Sequence, residues 1–177
     1  MSEVGHVVVI GGGVAGCATA YELSAAGARV TLIEREGIGS QASGWSAGGV
    51  NPLHGIPARL AAFALESYRM HLALWPELER LTGQSLGARR ISMAMLAPDD
   101  AEVIPLLELR DAFEMTDGFS AQWLEPAELR ELEPRITSKV AGALLTYGNG
   151  ALDSHRLTVL LAEAAQARGA TSSCRAS

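Results

Sequence analysis

One lysine, two cysteines, no basic cluster and no long apolar run: these shortages already narrow what the chain can be. Lys139 is the only lysine in 177 residues, and 14 Lys+Arg against 20 Asp+Glu give a formal net charge of −6. Without a concentrated basic surface to meet a polyanion, nucleic acid is excluded as an expected partner. Cys17 and Cys174 are too few for a disulfide framework or a cysteine metal centre. Cys17 follows a glycine at a predicted helix start. That place can activate a thiol, but a small residue packed under the helix is the expected role. His6, His71 and His155 are scattered without metal-ligand spacing, so no metal is expected. His54 reads as an exposed loop residue rather than a base. No stretch approaches the roughly 20 apolar residues of a membrane span. The Val7–Ile10 run is too short for a signal-peptide core and is broken by glycines. A cytoplasmic, reducing setting is the expectation. No internal repeat or long low-complexity tract is present.

What the chain does have is concentrated near its start. Val7-Val-Val-Ile10 is an apolar strand pattern, followed by Gly11, Gly13 and Gly16 in GxGxxG spacing, an Ala-rich helix and a second apolar strand, Arg29–Glu34. Each part has a physical role. Gly11 permits the tight turn, Gly13 lets backbone approach a pyrophosphate, and Gly16 lets helix and strand pack closely. A diphosphate would rest on the unpaired N–H groups of Gly13, Val14, Ala15 and Gly16, at the positive end of the helix. Glu34, about 20 residues beyond the glycines, sits where an acid accepts from the ribose hydroxyls of adenosine. Its charge disfavours a 2′-phosphate. A dinucleotide-binding βαβ unit follows.

Apolar residues at 48% and charged residues at 19% fit an ordinary globular protein. The helix is predicted over Gly16–Ala26, burying Ala20, Leu23 and Ala26 and closed by Gly27. The segment from Gly37 to Val50 is dense in Gly, Ser and Ala and reads by composition as a loop. A long helix starts at Pro57 with Leu65, Tyr68, Leu72 and Trp75 on one core-facing stripe, and Pro76 kinks or ends it. Arg90–Ala97 reads as a strand, Asp99–Phe113 as a helix despite Pro105, and Trp123-Leu124 as a brief extended piece. Glu125–Glu133 is a short acidic helix and Val140–Tyr147 a strand, with Gly148-Asn-Gly150 as its turn. The last helix runs from an Asp153 N-cap to a stop at Gly169. A buried parallel strand should then follow, yet Thr171–Ser177 is polar. The expectation is an irregular tail, unpaired sheet edges and one face of the sheet uncovered.

Three blocks of residues resemble the FAD-dependent amine oxidoreductases, the group of glycine oxidase, sarcosine oxidase and D-amino-acid dehydrogenase. They are the Gly11–Gly16 turn with Glu34-Arg35, the small-residue segment Ala42-Ser-Gly-Trp-Ser-Ala-Gly-Gly-Val50, and Gly150-Ala-Leu-Asp-Ser-His-Arg-Leu157. The resemblance extends to about Ala170. It implies an α/β fold: a Rossmann-like FAD-binding βαβ unit with the start of an α+β substrate domain, truncated. Residues 1–50 would form the FAD unit and flavin-contact loop, 51–147 a partial substrate domain, and 148–177 a return helix and tail. FAD is the implied cofactor. Arg35, Ser40, Ala42, Ser43, Ser46, Ala47, Gly48 and Gly49 join the turn residues and Glu34 as implied contacts. Ser46 stands where some relatives attach flavin through histidine, so no such bond is implied. The implied reaction is oxidation of an amine or amino acid by hydride transfer to flavin. The implied substrate-gripping residues lie outside this chain, in a missing C-terminal half or a partner chain, so no catalytic residue is assigned. Two alternatives stay open: an inactive flavin-binding fragment, and an NAD-dependent dehydrogenase. The Gly/Ser block after Glu34 argues against the second.

Overall fold

A computed structural model describes residues 5–137 and 139–174. In chain order the elements are β1 (His6–Ile10), α1 (Val14–Ala25), β2 (Arg29–Glu34), β3 (Gly49–Val50), α2 (Ala61–Thr82), β4 (Arg89–Ala97), α3 (Val103–Glu114), β5 (Ser120–Leu124), α4 (Pro126–Leu132), β6 (Gly142–Ala151), α5 (Ser154–Ala167) and β7 (Thr171–Cys174). The chain divides into two compact units. One contains Met1–Gly49, Met70–Ala88 and Leu152–Ser177, the other Val50–Arg69 and Arg89–Ala151.

The first unit is built on a parallel sheet in the order β1-β2-β7. Its α/β character follows from two strand–helix–strand patterns, each closed at a glycine after the helix. Val30 and Leu32 of β2 are buried, while Ile33 between Leu32 and Glu34 is exposed. Helix α1 buries Cys17, Ala20, Tyr21 and Ser24, which recur at helical spacing. Sequence reasoning expected Leu23 and Ala26 on this stripe. They lie half-buried and exposed, because Tyr21 and Ser24 take the inward positions. Helix α5 packs against α1 through a broad apolar face of Leu157, Leu160, Leu161, Ala164 and Ala165. It starts as expected, with the Asp153 carboxylate accepting from the Arg156 N–H at 2.9 Å.

The tail is not irregular. Thr171–Cys174 pairs in parallel with Thr31–Glu34. Strand formation here rests on the backbone ladder and on hydroxyls rather than on apolar burial: Thr31 Oγ1 lies 3.0 Å from Thr171 Oγ1 and 2.9 Å from His6 Nε2. On one face of this sheet Val8, Ile10 and Ile33 are 50%, 84% and 42% exposed among the described residues.

The second unit is an antiparallel sheet in which β6 pairs with both β4 and β5. Helix α3 packs on it, with Phe113 fully buried beside Met95 and Leu144. Gly148–Gly150 is not a turn: it continues β6, and Asn149–Ala151 pairs with Arg89–Ile91. The register shifts between Ile91 and Met93, giving β6 an extra residue. That bulge lets Asn149 and Thr146, three apart, meet on one side at 2.9 Å. Pro76 neither ends nor interrupts α2, which runs on to Thr82; the proline lies on the exposed side, where water can serve the freed carbonyl. Among the described residues, no helix is long and apolar enough to cross a membrane.

Candidate functional site

The turn between β1 and α1 is closed from several sides. Gly11 has φ +108°, a left-handed conformation that L side chains rarely adopt. Its N–H donates to the Ile33 carbonyl at 2.8 Å, tying the turn to β2. A Cβ on Gly16 would lie 2.0 Å from the Gly11 carbonyl oxygen, so no larger residue fits there. The sequence motif thus has a steric cause at both ends.

Gly13 is the N-cap of α1 and makes no side-chain cap bond. The cap comes from elsewhere in the chain: Ser43 Oγ accepts from the Val14 N–H at 2.9 Å. The first helical donor is therefore not unpaired, as the motif alone suggested. A hydroxyl that accepts an N–H still has its own proton to give. Ser43 can donate a hydrogen bond through that O–H to an anion resting at the helix start, near Gly13, whose added Cβ would come 3.1 Å from Ser43 Oγ.

Glu34 sits at the carboxyl end of β2 beside this turn. Its Oε2 accepts from the Gly12 N–H at 2.6 Å and its Oε1 from the Glu36 N–H at 2.7 Å. Those two backbone donors, led by Glu36, hold the carboxyl below the usual carboxylate range. It stays ionised at neutral pH. Arg35 is exposed and pairs with Glu36.

A cleft of about 610 Å³ opens here, lined by Ile10, Gly11, Ile33, Glu34, Arg35, Glu36, Gln41 and Ser173. Its size lies within the roughly 300–1,000 Å³ of small-molecule sites, and it lies at the carboxyl ends of parallel strands, where α/β folds bind ligands. A smaller cavity lined by Gly12, Gly13, Glu34, Gly37, Gly39, Ser40, Gln41 and Ser43 lies beside the glycine turn. Ser40 Oγ is a buried polar atom with no hydrogen-bond partner among the described residues. An apolar-walled cleft, an ionised carboxylate at its edge, a glycine turn and an unanswered hydroxyl suit an adenosine diphosphate moiety, so the residues present fit FAD.

Of the residues singled out from sequence, Gly11, Gly13, Glu34, Arg35, Ser40 and Ser43 line these neighbouring cavities. Val14 and Ala15 are exposed at the helix start, and Gly16 is half-buried against the turn. Ala42, Ser46, Ala47 and Gly49 are exposed and line none of these cavities. Gly48 is buried with a packing reason of its own: a Cβ there would meet the Leu152 carbonyl oxygen at 1.9 Å. The Ser46 carbonyl accepts from Ser154 Oγ at 2.8 Å, anchoring the loop to the start of α5. Sequence reasoning missed Gly12, Gln41, Ile33 and Ser173. Gly12 was visible as the middle of three consecutive glycines. Ser173 carries no local signal, since the chain brings it to the cleft only through β7.

Comparison with known proteins agrees with this geometry. Residues 6–176 match the family DAO, FAD dependent oxidoreductase. Glycine oxidase of Geobacillus kaustophilus is 34% identical over 167 residues, which are 93% of this chain and 44% of that protein. The 4-methylaminobutanoate oxidase (formaldehyde-forming) of Paenarthrobacter nicotinovorans is also 34% identical, over 93% of this chain and 19% of its own length. The crystal structure of the Geobacillus glycine oxidase superposes with a TM-score of 0.84 at 31% identity, covering 97% of this chain and 46% of that one. Dithionite-reduced L-alpha-glycerophosphate oxidase from Mycoplasma pneumoniae, with FAD bound, gives 0.82 at 25% identity, covering 96% and 44%. The chain thus spans less than half the length of these relatives. With a glycine turn, a carboxylate and a cleft arranged for a dinucleotide, it belongs to the DAO family of FAD-dependent oxidoreductases.

Proposed function

We propose that this chain carries the ADP-binding half of the FAD site of an enzyme that oxidises an amine or amino acid. The observation that carries the reading is the ionised Glu34 carboxylate at the lip of a small-molecule cleft, next to a glycine turn whose Gly16 admits no larger residue. In this reading the adenosine occupies the cleft against Ile10 and Ile33, and Glu34 accepts from the ribose. Gly13, Val14, Ala15 and Gly16 face the diphosphate, with Ser43 donating a hydrogen bond through its hydroxyl and Ser40 answering a second oxygen. Arg35, exposed and paired with Glu36, closes the outer edge. The loop Ala42–Gly49 runs on beneath the flavin ring, with Ala42, Ser46, Ala47, Gly48 and Gly49 offering small side chains and backbone. FAD, when bound, supplies the two-electron acceptor for oxidation of a carbon–nitrogen bond.

The amine or amino-acid substrate is inferred from the relatives, which include a glycine oxidase and a 4-methylaminobutanoate oxidase. The residues that would grip such a substrate are assigned to the part of the relatives that this chain does not span.

The test is direct. Purified chain mixed with FAD is expected to retain it through desalting, with a visible flavin spectrum and saturable binding by calorimetry. Bleaching under anaerobic glycine, or another amino acid, would extend the reading to turnover by the chain itself. A yellow protein that no amine bleaches would mark a binding unit without turnover. A protein that takes NADH and refuses FAD would overturn the reading.

A further inference from the structure

We propose that Glu34 is a positioning residue for the phosphate turn as well as an acceptor for the sugar: it holds Gly12, and through it the whole glycine turn, in binding geometry before any ligand arrives. This rests on the dinucleotide reading above. The geometry is a bridge. One carboxylate spans the Gly12 N–H at 2.6 Å and the Glu36 N–H at 2.7 Å, so the turn after β1 and the turn after β2 share one anion. The Gly12 carbonyl accepts from the Gly39 N–H at 2.8 Å. A single buried residue, Gly12, therefore joins three segments that line the site.

A residue larger than glycine at position 12 would have to push side chains aside. An added Cβ would lie 2.9 Å from Glu34 Cγ and 2.7 Å from Ile38 Cδ1. GxGxxG spacing leaves this position free, so the crowding comes from Glu34 and Ile38 and not from the phosphate. Both bonds have the length of charge-assisted pairs, which are about twice as strong as neutral ones. The two roles do not compete: each carboxylate oxygen has two lone-pair directions, and the backbone occupies one on each. The second remains for a ribose hydroxyl. A turn already fixed has less freedom to lose on binding, so the clamp raises affinity for any ligand that uses the turn, whether or not it has sugar hydroxyls. Glutamine cannot substitute. It offers one acceptor oxygen, and its NH₂ would face a backbone N–H.

The experiment is calorimetric titration of the wild-type chain and Glu34→Gln with ADP and with 2′,3′-dideoxy-ADP, which lacks the sugar hydroxyls. The variant is expected to bind dideoxy-ADP about tenfold more weakly than wild type does, and to lose more than that toward ADP. Equal dideoxy-ADP affinity in both proteins, with only ADP weakened, would confine Glu34 to the sugar and overturn the proposal. Wild type that binds neither nucleotide would instead defeat the dinucleotide reading and this inference with it. A second measurement needs no variant. In ¹H–¹⁵N spectra of the ligand-free wild type, the Gly12 and Glu36 amides should titrate together, with one midpoint below the ordinary glutamate range. A Gly12 amide that ignores that transition would overturn the proposal even if Glu34→Gln fails to fold.

Discussion

At the scale of single residues, Glu34 makes the molecule's stability depend on pH in a definite direction. Two backbone donors lower its carboxyl in the folded chain. The unfolded chain has no such donors, so its glutamate titrates near the usual value of about 4.3. A carboxyl lowered by folding contributes stability that is fully present above that value and is lost as pH falls through the folded one. Urea midpoints of wild type and Glu34→Gln should therefore differ at pH 7 and converge as the pH drops below about 4. A constant difference across that range would show that the charge is not what Gly12 and Glu36 bind. Gly12→Ala should act on the same contact from the other side, lowering the thermal midpoint and abolishing FAD retention, because the methyl displaces Glu34 or Ile38. How far this was legible is instructive. Spacing alone singles out Gly11, Gly13, Gly16 and Glu34, since the turn geometry that Gly11 and Gly16 serve recurs in many folds. Gly12 was passed over because its reason is a side chain 22 residues away, and no local pattern encodes that contact.

At the scale of elements, the departures from expectation share one cause: hydrogen bonds made at a distance. Helix α1 was read as presenting free donors, and Ser43 caps the first of them. Ser43→Ala is expected to destabilise the chain by about 1 kcal/mol, the usual cost of losing a side-chain cap, and also to weaken FAD binding. A loss of stability with FAD affinity unchanged is expected for Asp99→Ala, which removes a carboxylate that accepts from the Ala101 N–H at 2.9 Å and lines neither cavity. Comparing the two by urea denaturation and FAD titration separates capping from phosphate contact. Gly148–Gly150 reads as a turn because glycine and asparagine favour turns. Pairing of Asn149–Ala151 with Arg89–Ile91 overrides that preference. The tail misled in the opposite way, since Thr-Ser-Ser-Cys lacks the apolar run of a buried strand and still forms a strand, exposed at Thr171–Ser173, by backbone pairing and a hydroxyl contact to Thr31. The long periodic helices were the easiest to read. The burial of Tyr68 and Trp75 and the half-burial of Leu65 and Leu72 on α2 follow directly from their spacing.

At the scale of the whole molecule, the two faces of the parallel sheet in the first unit differ in kind. One side meets α1 and α5 and buries Val30 and Leu32 to 1% and 3% exposure. The other carries Val8, Ile10 and Ile33 in solvent, beside the polar row of His6, Thr31 and Thr171. Parallel sheets are ordinarily covered on both faces, and exposed apolar patches mark surfaces that take a partner or a dye. Two substitutions on neighbouring strands test the asymmetry. Val30→Lys places a charge among the buried residues and should unfold the chain, since an unpaired buried charge is among the few causes of severe loss. Val8→Lys places the same charge on the open face. It should leave the far-ultraviolet spectrum intact and shift stability by no more than about 0.5 kcal/mol, while lowering the fluorescence of a bound hydrophobic dye and the scattering from self-association. Were Val8→Lys to unfold the chain as Val30→Lys does, the open face would have to be covered in solution.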